Sequence, residues 1–271
     1  MYKFRIGLIF RATYSNEYGT RYLGGISNDC DHGSPMEFDI SGYIDFANKM
    51  MFVKAKLTTN NDAAVGPTNL FLHSLFSQVL NGTLVTASNT YPYRAMMVTL
   101  LSYGKDAKRS QLTSSLFYKD EAGRMDSTTF VEATRNYGFY HRREFDMMGR
   151  LHADIFLQEC YMINEVGVKI KLVRSKDAFC VMGAGKVQIL HASLFVRKVK
   201  LMSSVFLAHA KTLESGTAKY PIRRVVCKAF TISQGYRHIN HEKLFYGQLP
   251  TRIIVGLVSN RVFNGIPRTT H

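Results

Sequence analysis

Segments in which apolar and polar residues alternate recur along this chain, and they constrain its fold more than any other feature of the sequence. Residues 36–46 place an apolar residue or glycine at every second position, and residues 51–57 repeat the pattern. A period of two is typical of a β-strand that buries one face and exposes the other. Further short segments rich in β-branched residues, bounded by glycine or serine, span residues 155–157, 166–173, 178–182, 186–201, 221–232 and 252–258.

A predicted tight turn and the small number of predicted helices support the same fold class. The Asn81-Gly82 pair predicts a hairpin over residues 79–85, since Asn-Gly is the strongest two-residue hairpin signal. Many short strands separated by turns, with only two convincing helices, are typical of an all-β sandwich. The sequence therefore predicts a mostly β protein, an antiparallel sandwich of the jelly-roll kind.

Two segments predict helices. In residues 91–103, Pro92 occupies a position that the first helical turn tolerates, and Gly104 can end the helix. We expect the apolar stripe of this helix to pack onto a sheet and to bind no cofactor. That stripe recurs at helical spacing and consists of Tyr93, Met96, Met97, Leu100 and Leu101. Residues 203–213 predict a second short helix that ends at Gly216.

These patterns divide the chain into three parts. Residues 1–35 have no periodicity and are predicted to form an irregular N-terminal arm. Residues 36–165 are predicted to form a first jelly-roll region, in which the polar, aromatic and charged residues 119–150 form a long insertion. Residues 166–271 are predicted to form a second, basic β region.

The net charge of +15 is concentrated in that last part. Residues 1–165 contain 17 basic and 17 acidic residues, whereas residues 166–271 contain 18 basic and 3 acidic ones. Such an asymmetry favours an anionic partner, most commonly nucleic acid. The alternative is a solvated strand face, or lysines that protect edge strands from aggregation.

The basic residues of the strand-like segments are the candidates for nucleic-acid contact. Lys169 and Lys171 alternate with apolar neighbours, so their ammonium groups share one face of the predicted strand. Contacts of this kind to phosphates are strongly salt-dependent and carry no base specificity. The candidate residues facing nucleic acid are Lys169, Lys171, Arg174, Arg197, Lys198, Lys200, Arg223 and Arg224.

Composition also bears on where the protein acts. The chain of 271 residues is 46% hydrophobic, which suffices for a large core without disulfides. Cys30, Cys160, Cys180 and Cys227 form no CxxC pair, and reduced thiols are predicted. We see no secretory signal and no apolar run of the roughly 18 residues that a membrane helix requires. We therefore expect a protein of the virion or the cell interior, in nucleus or cytoplasm, that is neither secreted nor bound to membranes.

Motifs for catalysis, cofactors and metals are weak in this sequence. Gly183-Ala-Gly-Lys186 lacks the spacing of a phosphate-binding loop, and His238-Ile-Asn-His241-Glu242 has no helix to bring both imidazoles together. An acid-base site would require His141, Glu144, His152 and Asp154 to converge in one cleft. We predict no catalytic residue, no cofactor and no metal site, and hence no enzyme.

Separated stretches of the chain carry a resemblance to a known family. They are Asn69-Leu-Phe-Leu-His-Ser-Leu-Phe-Ser-Gln-Val, Tyr91-Pro-Tyr-Arg-Ala-Met-Met-Val-Thr-Leu-Leu-Ser-Tyr-Gly-Lys, Gln111-Leu-Thr-Ser-Ser-Leu-Phe-Tyr-Lys-Asp, Lys171-Leu-Val-Arg-Ser-Lys-Asp-Ala-Phe and Ala218-Lys-Tyr-Pro-Ile-Arg-Arg-Val. In these blocks the chain resembles proteins that animal genomes carry in Polinton (Maverick) virus-like transposons, which are associated with jelly-roll capsid proteins. The resemblance spans residues 38–258 and is lost in residues 1–35.

The resemblance implies a structural function. It implies a double jelly-roll major capsid protein that assembles with copies of itself, as a trimeric capsomer, and with other capsid proteins into a shell around DNA. Because the family continues through more strands after residue 258, we expect an incomplete second jelly roll in a truncated copy of an endogenous viral element. The alternatives are a single jelly-roll minor capsid (penton) protein and, from another class, a basic nucleic-acid-binding module.

Overall fold

The protein is mostly β in the part of the chain that its structure covers. The computed structural model describes residues 20–23, 35–40, 42–59, 66–81, 90–119, 144–164, 166–182, 185–232, 240 and 249–258. The strands are β1 (Thr20–Leu23), β2 (Pro35–Ile40), β3 (Ile44–Thr59), β4 (Gly66–Pro67), β5 (Phe76–Asn81), β6 (Glu144–Gly149), β7 (Val168–Arg174), β8 (Val181–Met182) and β9 (Gly185–Lys198). The helices are α1 (Phe71–Ser74), α2 (Tyr91–Ser102), α3 (Lys105–Arg109), α4 (Asp177–Cys180) and α5 (Ser203–Ser215), and two 3₁₀ turns span Gln111–Ser115 and Asp154–Leu157.

The strands form antiparallel sheets through which the chain passes alternately. A four-stranded sheet has the order β1-β9-β3-β6, a three-stranded sheet has the order β2-β7-β5, and β4 pairs with β8 in a short ribbon. Leaving the ribbon aside, each successive strand lies in the other sheet from the strand before it. Sequence neighbours are therefore not sheet neighbours, and the hydrogen-bonded pairs join distant parts of the chain.

The alternating pattern of residues 51–57 has the predicted structural consequence. Met51, Val53, Ala55 and Leu57 of β3 are buried, and the residues between them are partly exposed. Strand β7 behaves in the same way, since Val168, Ile170 and Leu172 are buried and Lys169 is exposed. A strand with one buried face requires this period, so both strand predictions are confirmed.

One hydrophobic core joins the two sheets. It contains Val53 and Leu194 from the four-stranded sheet, Ile170 and Leu172 from the three-stranded sheet, and Phe71 from α1. Because each sheet contributes its apolar face to the same cluster, the described fold is a β-sandwich.

A glycine permits the close packing of β6 against the first 3₁₀ turn. A Cβ atom at Gly149 would lie 2.4 Å from Ser115 Oγ and 2.7 Å from Leu72 Cδ2. The hydroxyl of Ser115 donates to the Met148 carbonyl at 2.9 Å, which holds the turn against the strand. No larger residue fits at position 149 without displacing these neighbours.

Helix α2 has the predicted extent but buries a different face. It spans Tyr91–Ser102 with Pro92 in its first turn, as predicted. The predicted stripe is wrong as the core-facing side, because Leu100 and Leu101 are 48% and 62% exposed. The buried residues are instead Tyr91, Arg94, Ala95 and Thr99. Both stripes have helical spacing, and the structure buries the one with the arginine because Asp154 neutralises its charge.

The predicted helix over residues 203–213 is confirmed as α5. It spans Ser203–Ser215, and the N–H of Gly216 donates to the Thr212 carbonyl at its end. The helix carries no buried residue, and it contacts the sandwich through Tyr43, whose ring packs edge-on against Phe206.

Other strand predictions are wrong. Residues 178–182 begin in helix α4, and the reason is Asp177, which accepts hydrogen bonds from the side chain of Arg174 and the N–H of Val187 and turns the chain. Residues 155–157 lie in a 3₁₀ turn that follows the buried Asp154. Residues 221–232 and 252–258 are not in strands where they are described, because both sheets pair their strands without them. The predicted hairpin keeps its first strand, β5, while residues 82–89 lie outside the described part of the chain.

The sandwich crosses all the boundaries that the sequence predicts between regions. The predicted arm contains β1, which pairs with β9. This strand has four residues, too few to show a period of two in the sequence. The predicted insertion contains β6, while residues 120–143 lie outside the description. Strands β7 and β9, predicted to belong to a second β region, pair with β2, β5, β1 and β3. Residues 168–198 therefore belong to the same sandwich as the strands before residue 166.

Candidate interaction surface

The segment after α5 presents apolar side chains to solvent. Its residues 217–232 and 249–258 belong to neither a helix nor a strand. We call the exposed apolar residues of this segment the C-terminal apolar surface; they are Val225, Val226, Phe230, Ile232, Leu249, Ile253, Ile254, Val255, Leu257 and Val258. Large exposed apolar patches on soluble proteins mark interaction sites.

Four hydrogen bonds attach the first part of this segment to the rest of the fold. The Tyr220 hydroxyl accepts a hydrogen bond from the N–H of Ile163 at 3.1 Å and donates to the Tyr161 carbonyl at 3.3 Å. Burial raises the pKa of Tyr220, so this hydroxyl keeps its proton. The N–H of Val225 donates to Asp154 Oδ1 at 3.2 Å, and the Thr90 hydroxyl donates to the Cys227 carbonyl at 3.0 Å.

Helix α2 lies directly under this segment. Thr90, at its N-terminus, is bonded to Cys227, and a Cβ added at Gly256 would lie 3.5 Å from Met97 Cε. The outer stripe of α2, predicted as a core face, is thus partly covered by the C-terminal segment and partly exposed at Leu100 and Leu101. An apolar helix face with incomplete cover extends the C-terminal apolar surface.

Helix α5 adds further exposed apolar side chains beside a groove. A cavity of about 480 Å³ is lined by Tyr43, Leu201 and Phe206, among others. Phe206 and Leu207 are exposed on this helix, as is Met202 directly before it. The part of the chain that follows β9 therefore presents apolar side chains from both helical and extended backbone.

A buried ion pair supports α2 from the inside. Arg94 Nη2 lies 2.5 Å from Asp154 Oδ1, and their side chains are 2% and 0% exposed. The same carboxylate accepts the Val225 N–H, so Asp154 connects α2 with the C-terminal segment. Removing one partner of such a buried pair leaves an uncompensated charge.

Buried polar residues surround this pair. Tyr91 bonds to His73 Nδ1 at 2.9 Å, and the rings of His73 and His152 lie with their centroids 4.9 Å apart. Lys49 donates to the Phe156 carbonyl at 3.0 Å, and burial together with the charge of Arg150 lowers its pKa to about 7. No sequence pattern indicates that Lys49, His73 or Arg94 are core residues, because their burial depends on partners from other elements.

The candidate nucleic-acid residues on β7 have acidic register partners or are buried. Lys169 is exposed and is paired in register with Asp39, and Lys171 is half-buried and paired with Glu37. Arg174 is buried, lies 2.7 Å from Asp177 and donates to the Val187 carbonyl. The structure thus places Arg174 on the core side, apart from the exposed lysines.

The other basic candidates lie elsewhere in the fold. Arg197 and Lys198 end strand β9 in the other sheet, where Arg197 lies 3.7 Å from Asp45. Lys200 is exposed just beyond that strand. Arg223 and Arg224 are exposed in the C-terminal segment, beside the C-terminal apolar surface. The eight candidates are therefore distributed over two sheets and the segment after α5.

The residues considered for catalysis and metal binding do not assemble where they are described. His152 and Asp154 are buried, whereas Glu144 is exposed at the far end of β6 and pairs with Lys54 at 2.6 Å. His141 and the His238, His241 and Glu242 motif lie outside the described residues, as do Gly183 and Ala184. Within the described residues there is no group of three or more metal-binding side chains. None of the helices described is long and apolar enough to span a bilayer.

The described cysteines carry no disulfide. Cys160 is exposed, Cys180 is buried and Cys227 is intermediate, and all three are free thiols. Cys30 lies outside the described residues.

Comparison with known proteins gives a sequence relative and a solved structure to which the chain is similar. No protein-family model matches the chain. Over 224 residues the chain is 25% identical to an uncharacterized protein of Caenorhabditis elegans, a match that covers 78% of this chain and 52% of that protein. The chain thus spans about half the length of this curated relative. Among solved structures it is similar to the mavirus major capsid protein, with a TM-score of 0.46 and 13% identity over 74% of this chain and 50% of that one.

Proposed function

We propose that this protein is a structural subunit of a virus-type shell, a jelly-roll capsid protein of the Polinton (Maverick) class. It acts by association with copies of itself and with other capsid proteins around DNA, and it catalyses no reaction. Its place of action is the virion or the interior of the cell. The observation that carries this proposal is a β-sandwich with an extended apolar surface left exposed on one segment of the chain.

The order of the strands supports a jelly roll. Seven described strands divide into two sheets, and the chain crosses from one sheet to the other at every step. A jelly roll wraps its strands into two sheets in this manner, whereas a meander keeps sequence neighbours side by side.

The packing of the resembling blocks supports the family. Asn69 accepts a hydrogen bond from the N–H of Tyr118 at 2.9 Å, which joins the first block to the third. The N–H of Ser175 donates to the Leu75 carbonyl at 2.8 Å, which joins the first block to the Lys171 block. Arg94 and Val225 meet at Asp154, which joins the α2 block to the last one. Blocks that lie far apart in sequence thus form one contiguous structural unit.

The C-terminal apolar surface supports assembly. Burying apolar area releases roughly 25 cal/mol per Å². Val255 and Leu257 are 83% and 85% exposed, and each would gain from a neighbouring subunit. Assembly through many copies of one such contact is the ordinary route to closed, symmetric shells.

One observation favours the single jelly-roll, penton-type subunit over the double jelly-roll type. Strands β7 and β9, predicted to open a second jelly roll, complete the first sandwich instead. Under this second candidate function the chain contributes one jelly roll to the shell, and the assembly contacts remain the same.

The rival from another class is a basic nucleic-acid-binding module. Arg223 and Arg224 are exposed in the described structure, as is Lys200, and their positive charges would attract phosphates. Such a module would remain monomeric and bind DNA with a steep salt dependence.

The test is size-exclusion chromatography with light scattering at low and high salt, on the natural chain and on two variants. Leu257→Asp places a charge on the C-terminal apolar surface, and Leu157→Asp is the matched control at a leucine that is 49% exposed outside it. We expect the natural chain and Leu157→Asp to form discrete oligomers and Leu257→Asp to shift to the monomer. A natural chain that is monomeric at both salt concentrations would contradict the capsid proposal, and salt-sensitive DNA binding by that monomer would favour the rival.

A further inference from the structure

Two histidines are buried together beneath helix α2. His73, on α1, and His152, which follows β6, are 2% and 3% exposed, and their ring centroids are 4.9 Å apart at an interplanar angle of 41°. Tyr103 packs edge-on against His152 at 6.3 Å. Histidines at a protein surface titrate near neutral pH, whereas these rings are enclosed by protein.

The hydrogen bond between Tyr91 and His73 fits a neutral His73 ring. The backbone N–H of His152 donates to the Tyr91 hydroxyl at 3.3 Å, and that hydroxyl lies 2.9 Å from His73 Nδ1, to which it can donate when Nδ1 carries no hydrogen. A protonated imidazole carries hydrogen on both nitrogens and accepts no hydrogen bond. Protonation of His73 would therefore remove the acceptor of the Tyr91 hydroxyl at the first turn of α2.

The charges that face the pair oppose a further positive charge. Cations from β3, from α2 and from the residue after β6 act on His152, and the buried carboxylate of Asp154 is bonded to one of them. These groups are Lys49, Arg94, Arg150 and Asp154, with the hydroxyls of Tyr91 and Tyr103 beside the rings. Since Asp154 is already bonded to Arg94, an imidazolium would have no counter-ion of its own among these groups.

The same residues attach the C-terminal segment to the sandwich. Asp154 accepts from Val225, and Thr90, directly before α2, donates to Cys227. Displacement of α2 would break the contact between Thr90 and Cys227 and would take Arg94 away from Asp154, the acceptor of the Val225 N–H. The position of residues 220–228 thus depends in part on the packing of α2 over the two histidines.

We propose that the stacked imidazoles of His73 and His152 are an acid-sensitive switch, whose protonation releases helix α2 and residues 220–228 from the sandwich. The switch alters the position of the C-terminal apolar surface in response to pH. It does not rest on the proposed function, because it concerns the fold of a single chain.

The direction of the pH effect follows from the burial of the rings. Burial, together with Lys49, Arg94 and Arg150, lowers the pKa of His152 from 6.5 to about 3, and burial and His152 lower the pKa of His73 well below 6.5. The opened state regains the ordinary value and binds protons that the closed state excludes. The contribution of the pair is fully present above pH 6.5 and is lost as the pH falls toward the lowered values. The opening constant is the equilibrium constant between the closed state and the state in which α2 is released. Each histidine raises this constant about tenfold for each unit by which the pH falls in this window.

The experiment is hydrogen exchange followed by mass spectrometry, corrected for the intrinsic effect of pH, between about pH 7.5 and pH 5. We expect the opening constant of peptides from α2 and residues 220–228 to rise by at least about tenfold at the lower pH. Peptides from β3 and β9 should change much less. A pH-independent α2, or an equal acceleration in all four regions, would overturn the proposal.

Variants separate the switch from general acid sensitivity. His73→Asn keeps an acceptor for Tyr91 without a titratable ring, and His152→Gln removes the second one. In the double variant, the opening constant of α2 should no longer rise as the pH falls. In the more conservative His152→Gln variant alone, the rise of this constant should be smaller by about tenfold for each pH unit. The control is His209→Gln, which should behave as the natural chain. His209 is a half-buried histidine on α5, and its Nδ1 lies 3.3 Å from the Tyr43 hydroxyl. If His152→Gln keeps the natural pH dependence, the switch is excluded.

Discussion

The sandwich and the segment that follows it use the same residue types in opposite ways. Val53 and Leu172 in the sandwich are fully buried, while Val255 and Leu257 in the C-terminal segment are 83% and 85% exposed. Residues 253–255 are as β-branched as any strand of the sandwich. The difference is that every strand of the sandwich has a hydrogen-bonded neighbour and an opposing sheet, and the segment has neither among the described residues. A segment with high strand propensity therefore forms a strand only where a neighbouring strand is present to pair with it.

A buried carboxylate is one of the groups that join the two regions, and the loss of its ion pair should have the largest effect. Arg94→Ala would leave the buried Asp154 carboxylate without its guanidinium partner. We expect the free energy of unfolding to fall by about 3–5 kcal/mol, measured by urea denaturation. A matched double variant, Arg94→Leu with Asp154→Leu, should cost less, because it leaves no unpaired charge. A loss below about 1 kcal/mol for Arg94→Ala, the scale of exposed pairs, would show that the pair is not buried.

A leucine in each region tests the contrast in burial directly. Leu172→Ala removes a fully buried side chain and should reduce the free energy of unfolding by about 2–5 kcal/mol. Leu257→Ala makes the same chemical change at an exposed site and should stay within about 0.5 kcal/mol. Both are measured by thermal and urea unfolding of the monomer. Equal losses for the two variants would mean that the C-terminal segment is packed in solution.

A glycine in each region gives the smallest and sharpest contrast. Gly149→Ala brings a methyl group to within 2.4 Å of Ser115 Oγ and should cost about 1–3 kcal/mol through forced displacement. Gly256→Ala meets Met97 Cε at 3.5 Å, an ordinary contact, and should change stability by less than about 0.5 kcal/mol. Thermal denaturation distinguishes these outcomes. A neutral Gly149→Ala would indicate that the turn at residues 111–115 adjusts freely.

The periodicity of apolar residues was sufficient to predict those strands and helices that have one face exposed to solvent. The alternation in residues 51–57 predicted β3, and helical spacing predicted the extents of α2 and α5, because these periods follow from backbone geometry. Strand β1 was missed because four residues carry too little pattern, and its order comes from pairing with β9. The prediction for the buried face of α2 was wrong because the more apolar stripe lies outside, whereas the face with Arg94 is buried through its ion pair with the distant Asp154.

The candidate interaction surface could be predicted from the sequence less well than the strands and helices. The apolar residues of 221–232 and 252–258 predict strands, and the alternation of residues cannot show whether a neighbouring strand exists. Arg174 looks like its exposed neighbours on β7, yet Asp177 and the Val187 carbonyl hold it inside. The burial of Lys49 and of the two histidines likewise depends on residues contributed by other elements. Surfaces and buried polar clusters are properties of the folded chain, which single segments do not encode.

The central position of β9 has a consequence for synthesis in the cell. Strand β9 lies between β1 and β3, so neither of these can complete its pairing until residue 198 has been made. At translation rates of about 5–20 residues per second, β3 waits on the order of ten seconds for this partner. During that interval an apolar strand edge is exposed on the ribosome, and contacts of such high sequence separation form slowly. The nascent chain is therefore most at risk of aggregation before β9 emerges, and a chaperone that binds extended apolar segments would act in this interval.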